Sequence, residues 1–232
     1  TGGAGLQGDL KTFAAHGGTG TAVITAITVQ GREGVARIEL LPPDLVTEQL
    51  RVVLDEVQPA GIKTGMLGEA PQIRAIATTL ATRGPSVLVV DPVMAATAGG
   101  DLLAGGALPA LVDALIPLSN FITPNLGEGA RLLGREAIAD GEMEEAALAL
   151  LALGCEAVLL QGGHGTGADL VAAQLEQVGP CSDERDALCG AATRQGGVLT
   201  QKAVAGVDGL AIGLASSRDD SLDVEIGSSA NV

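Results

Sequence analysis

The sequence predicts an α/β protein with a central, mostly parallel β-sheet flanked by helices. Three observations carry that prediction. Apolar, β-branched segments alternate with amphipathic ones at intervals of roughly 30 residues, the length of a βαβ unit. The strand segments are apolar almost throughout, as strands are when both faces are covered. Several of them end on a polar residue or a glycine, where an open sheet meets its ligands.

The elements follow in order. "TAVITAITV" (21–29) is β-branched, bounded by glycines, and is expected to be a buried strand. "LPPDLVTEQLRVVLDEV" (41–57) is a helix, with Pro43 in its first turn and Leu45, Leu50, Val53, Leu54 and Val57 on the core face. "AGIKTG" (60–65) is a short strand running into a glycine, and "APQIRAIATTLATRG" (70–84) a helix closed by Gly84. "SVLVVD" (86–91) is a strand, "ALPALVDALIPL" (107–118) a helix, "NFIT" (120–123) a strand and "LGEGARLLG" (126–134) a short helix. "GEMEEAALALLALG" (141–154) is a helix and "EAVLLQ" (156–161) a strand. After about residue 165 the periodicity weakens, and only a helix near 198–216 is expected. No break in composition divides residues 1–165, so the expectation is one domain over 1–232 with a divergent part at 165–232.

Composition narrows the function classes. Hydrophobic residues make up 47% of 232 and charged residues 18%, enough for a sizeable core. The net charge of −15 leaves no basic footprint for nucleic acid. No apolar run has the length of a membrane span and no signal-peptide pattern opens the chain, so a cytoplasmic location is expected. Three cysteines without metal spacing and two histidines make a zinc site improbable. With two phenylalanines and no tyrosine or tryptophan, the core must be aliphatic.

Four strand ends carry polar or glycine-rich groups: Gln30, "KTGMLG" (63–68), Asp91 and "TPNLGEG" (123–129). Each has two readings. Asp91 before Pro92 either faces a ligand or merely ends a strand. Asn125 and Glu128, three apart at a helix start, have the spacing of a capping box. Lys63 reads equally as a solvated charge at a strand end. The opening "TGGAGLQGDLKTF" is either a glycine turn into a helix or a place where backbone N–H groups approach a ligand. "GGHGTGAD" (162–169) resembles a phosphate loop but lacks the Gly-Lys-Ser/Thr ending.

Together these stretches resemble the hydroxymethylpyrimidine and phosphomethylpyrimidine kinases of thiamine biosynthesis. "TGGAGLQGDLKTFAAHG", "TAVITAITVQ", "KTGMLG", "DPVMAATAGGDLL", "LIPLSNFITPNLGEGARLLG" and "ALLALGCEAVLLQGGH" follow that family's landmarks in order over residues 1–164. The resemblance implies a ribokinase-like fold, a homodimer, and ATP- and Mg2+-dependent phosphorylation of a hydroxymethyl aminopyrimidine and its monophosphate. It implies that Gly3, Asp9 and Gln30 hold the pyrimidine and that Met66 and Val93 line its pocket. Asp91 and Glu128 are similar to the carboxylates that organise Mg2+, a hard cation that keeps water ligands. Asn125 and Gln161 fall on the nucleotide side.

The departures from the family pattern are equally specific. The family's first strand, with its Gly-Ser-Asp, is expected to be missing before Thr1. The family's G-T-G-C loop, which supplies an anion hole and a cysteine base, is not found. Its position falls near "RQGGVLTQ", where Gly196 and Gly197 remain and Val198 replaces the cysteine. Cys189 is the alternative base, and Asp169 a further one. Gln161 stands where the family has lysine, and Thr97-Ala98-Gly99 where it has Lys-Ser-Gly. Two other readings therefore stand beside the active aminopyrimidine kinase: a catalytically impaired small-molecule binder, and a pyridoxine or pyridoxal kinase.

Overall fold

A computed structural model describes residues 5–31, 34–95, 102–104, 106–162, 169–173, 198–199, 211–212 and 226–227. Its centre is a six-stranded sheet in the order β3-β4-β5-β6-β7-β8. The strands are β3 (Gly61–Thr64), β4 (Val87–Val90), β5 (Phe121–Ile122), β6 (Ala157–Leu160), β7 (Leu170–Ala173) and β8 (Val198–Leu199). β3 to β6 run parallel, and β7 and β8 add on antiparallel. Thr64 pairs with Val90, Val90 with Ile122, and Ile122 with Val158, so β3, β4 and β5 end level with one another and β6 runs two residues further. That alignment brings the turns after them together on one rim.

Helices connect these strands: α2 (Pro43–Glu56) before β3, α3 (Ala70–Arg83) after it, α4 (Ala107–Ala110) continuing as π and 3-10 turns to Leu118, α5 (Leu126–Leu132) and α6 (Met143–Leu151). Pro43 opens α2, where its missing N–H costs no hydrogen bond. The face α2 buries is Val46, Thr47, Leu50 and Leu54, whereas Leu45 and Val57 are exposed. The expected stripe was offset: at 100° per residue Leu45 lies off the arc centred on Leu50, and Val57 lies past the helix end. Ile73, Ile76 and Leu80 of α3 meet Val90, Leu115, Ile116 and Ile122 in one aliphatic core, which continues through Leu150, Val158 and Leu160.

The expected buried strand at 21–29 is corrected. β1 (Ala26–Gly31) pairs antiparallel with β2 (Gly34–Leu40) in a separate two-stranded ribbon, with a bulge at Val29/Gln30. Ile27 and Val29 are each 57% exposed. β-branching was read correctly as strand, but burial depends on what covers the strand, and this ribbon lies outside the six-stranded sheet. One side chain ties its two ends together. The Gln72 amide, at the start of α3 and fully buried, donates to Thr25 O at 2.9 Å and to Leu41 O at 3.1 Å, the two feet of the ribbon. Two carbonyl partners fix which end of the amide faces them.

The helix expected near 198–216 is also corrected: β8 and β9 (Ala211–Ile212) fall inside it, and β9 pairs antiparallel with β10 (Ile226–Gly227). Glycines at 206, 209 and 213 weigh against a helix there. In the opposite sense, α1 (Gly5–Ala15) and β7 are elements the sequence left open.

Cys155 lies in the core with no exposure. Burial pushes its thiol from the ordinary 9.0 up to about 11. Between those values the unfolded thiol gives up its proton and the folded one keeps it, so stability falls as pH rises through that window. The expected loss is about 2–3 kcal/mol. Urea midpoints of the parent and Cys155→Ala across the window provide the check: the variant should show the shallower slope, and equal slopes would refute the assignment.

Candidate active site

The site is built where the parallel strands end. β3 delivers Lys63 in its last but one position and passes into the Gly65–Gly68 turn. β4 stops at Val90, and Asp91 follows, its N–H donating to Thr64 O at 3.1 Å. Val93 N–H then donates back to Asp91 O at 2.9 Å, a tight turn that Pro92, buried, keeps rigid. β5 stops at Ile122, and Thr123 N–H donates to Val90 O at 3.1 Å before the chain enters α5 at Asn125.

Asn125 and Glu128 form the capping box that their spacing allowed. Asn125 Oδ1 accepts from Glu128 N–H at 2.9 Å, and Glu128 Oε2 accepts from Asn125 N–H at 3.0 Å. The capped carboxylate also feels the main chain of Met94, three residues past Asp91, and the charge of Asp91 itself. It therefore reaches across to the β4 turn and faces the same rim as Asp91. Behind it, Gly129 permits close packing: a Cβ there would lie 3.1 Å from a Leu160 methyl and 3.2 Å from an Ile138 methyl.

Sequence reading left Lys63 open as a solvated charge, and the structure puts it between two carboxylates. Its Nζ lies 3.0 and 3.2 Å from the two oxygens of Asp9 on α1, and 3.2 Å from Asp91 Oδ2. The three side chains are 23%, 34% and 25% exposed, so the bridge is largely shielded from solvent. Burial by itself would lower the Lys63 pKa, but Asp91 and Asp9 outweigh it and hold the group above its ordinary 10.5. Burial lifts the Asp91 carboxyl above its ordinary range against the pull of Lys63. Burial lifts Glu128 as well, against the N–H groups of Asn125 and Met94, and the charge of Asp91 adds to the rise.

Gln161, one residue past β6, uses its side chain structurally. Its Nε2 donates to Thr123 O at 2.7 Å and its N–H to Pro124 O at 2.9 Å. It thus stitches β6 to the junction that carries Asn125. Asp169 Oδ1 accepts from Gly162 N–H at 2.9 Å. Met66 and Val93, both half-buried, lie in the turns after β3 and β4. Gln30 is the exception: it is exposed on the ribbon, not at the end of a parallel strand as its sequence context suggested. Gly3, Cys189, Gly196 and Gly197 lie outside the described residues, as do Thr97 to Gly99.

Among the described residues no group of three or more His, Cys, Asp and Glu side chains is placed to hold a metal. Two adjacent, partly desolvated carboxylates nevertheless suit Mg2+, which binds through one or two carboxylates and takes its other oxygens from water and phosphate. Asp91 meets Lys63 through Oδ2, at 3.2 Å.

The Phosphomethylpyrimidine kinase family model matches residues 1–185. A hydroxymethylpyrimidine/phosphomethylpyrimidine kinase of Rhizobium meliloti is 44% identical over 164 residues, which are 70% of this chain and 61% of the relative. The chain thus spans about six tenths of that relative's length. The crystal structure of a phosphomethylpyrimidine kinase from Clostridium difficile superposes with a TM-score of 0.69 at 38% identity, over 75% of this chain and 76% of that one. The pyridoxal kinase of Staphylococcus aureus in complex with AMP-PCP and pyridoxal superposes with a TM-score of 0.64 at 31% identity, over 73% and 62%.

Proposed function

Because the chain belongs to the phosphomethylpyrimidine kinase family, we propose that it transfers the terminal phosphoryl group of ATP to 4-amino-5-hydroxymethyl-2-methylpyrimidine and to the resulting monophosphate. The observation that carries this reading is the carboxylate pair Asp91 and Glu128, set on neighbouring strand–helix junctions and close enough that the charge of Asp91 raises the proton affinity of Glu128.

On this reading Asp91 and Glu128 hold Mg2+, which neutralises charge on the nucleotide phosphates. The protein's own task is then positioning and electrostatics. Asp9 accepts a hydrogen bond from the pyrimidine, and Gly3, Gln30, Met66 and Val93 complete its pocket. Lys63 holds Asp9 aimed through two hydrogen bonds. Asn125 fixes the start of α5, and Gln161 holds that junction to β6, so Glu128 is in place before ligand arrives. The attacking hydroxyl must lose a proton, and Cys189, with the amides of Gly196 and Gly197, is the set assigned to that step. The family reading also carries a homodimer and a cytoplasmic location. No described helix is long and apolar enough to cross a membrane.

Pyridoxal is the second substrate to weigh, favoured by the superposition on a pyridoxal kinase. Calorimetry with the aminopyrimidine, pyridoxal and AMP-PCP, followed by an assay of ADP release with Mg2+, discriminates. Binding of pyrimidine and nucleotide with ADP release is the expected result. Pyrimidine binding without nucleotide would leave a small-molecule binder, and a preference for pyridoxal would transfer the assignment to that vitamer.

A further inference from the structure

We propose that Lys63 is a positioning residue whose ammonium is a tethered cation: it locks Asp9 and Asp91 into one unit and cedes Asp91 when a divalent cation arrives. This rests on the reading of Asp91 as a cation-binding carboxylate. The geometry is asymmetric in the sense the exchange requires. Lys63 Nζ hydrogen-bonds both oxygens of Asp9, at 3.0 and 3.2 Å, whereas it meets Asp91 as an ion pair, at 3.2 Å from Oδ2. Asp91 is the looser partner, paired by charge where Asp9 is held by two hydrogen bonds.

The backbones differ in the same way. Asp91 is pinned by its own N–H to Thr64 O in the adjacent strand. Asp9 sits on α1, a helix none of whose residues is buried. Lys63 joins the two from 54 residues past Asp9 and 28 before Asp91 in sequence. When Lys63 lets go of Asp91 it stays on both oxygens of Asp9, so the substrate-side carboxylate keeps its aim. Occupancy of the cation site is thereby coupled to the groups that hold the other substrate, through one side chain and without movement of a strand.

The coupling predicts opposite signs for two neutralising substitutions. Lys63→Gln removes the competing charge and should tighten Mn2+ binding about tenfold. Asp9→Asn leaves Lys63 wholly to Asp91 and should weaken Mn2+ binding several-fold, although Asp9 touches no metal. In the double variant the Asp9→Asn effect should be largely lost, since its mediator is gone. Lys63→Arg, which keeps the charge, should bind as the parent does.

The measurement is titration of the full chain with Mn2+ alone, free ion being followed by electron paramagnetic resonance, with circular dichroism as the check on folding. Unchanged or weaker binding by folded Lys63→Gln, while Asp91→Asn abolishes binding, overturns the coupling and leaves the cation site standing. Binding that survives Asp91→Asn overturns both. If Lys63→Gln does not fold, the Asp9→Asn arm decides, because that substitution lies outside the core: unchanged or tighter binding there overturns the coupling.

Discussion

Asparagine at position 91 should lower Mg2+-dependent phosphoryl transfer by about a hundredfold or more. The substitution removes one charge and almost no volume. The turn stays as it was, because Asp91 holds Thr64 through its main chain and Lys63 retains Asp9. What is lost is the negative charge in a shielded place, where it acts more strongly than on an open surface. Initial rates over a range of Mg2+ concentrations provide the check. The loss should persist at saturating Mg2+ and ATP, and a parent-like rate would remove Asp91 from cation handling. Glu128→Gln is the companion variant, since a glutamine oxygen can still accept from Asn125 N–H and so preserves the start of α5.

The largest effect on stability is expected from Ile122→Ala. Ile122 has no exposure and lies in the shortest of the four parallel strands, between Val90 and Val158. Truncation there should cost about 2–5 kcal/mol, lost transfer energy plus the cavity left behind. A whole domain commonly has only about 5–15 kcal/mol to lose. The test is a urea transition, with the midpoint falling and the slope unchanged. The effect should also reach the site, because Thr123, Pro124 and Asn125 follow directly. An Ile122→Val variant, expected to cost about 0.5–1.5 kcal/mol, sets the lower rung. Loss of less than that by the alanine variant would show that the centre of this sheet is loosely packed.

Much of this architecture is local and therefore legible. Periodicity located α2, α3, α6 and the parallel strands, since helix and strand are decided within a few residues. The carboxyl-terminal rim was legible too: Asp91 ends one apolar run, Asn125 and Glu128 follow closely on another, and parallel strands end at a common edge. Partners distant in sequence were not legible. Nothing beside Lys63 announces Asp9, 54 residues away. Nothing beside Gln72 announces Thr25 and Leu41, 47 and 31 residues away. Gln161 was marked for what its counterpart lysine does, while its amide serves the backbone of β5. The ribbon misled for a related reason: Ile27 and Val29 have the composition of core residues, and composition does not say whether a second layer is present.

Gln72 places a mechanical condition on that ribbon. Both strands leave the body of the protein at carbonyls held by the same nitrogen, so neither can lift while the other stays seated. Its remaining oxygen, buried and without a hydrogen-bond partner, offers no second purchase. One amide group thus couples the two feet of the ribbon, beside the separate holds of the Thr25 hydroxyl on Met66 O and of Gln49 on Ile24.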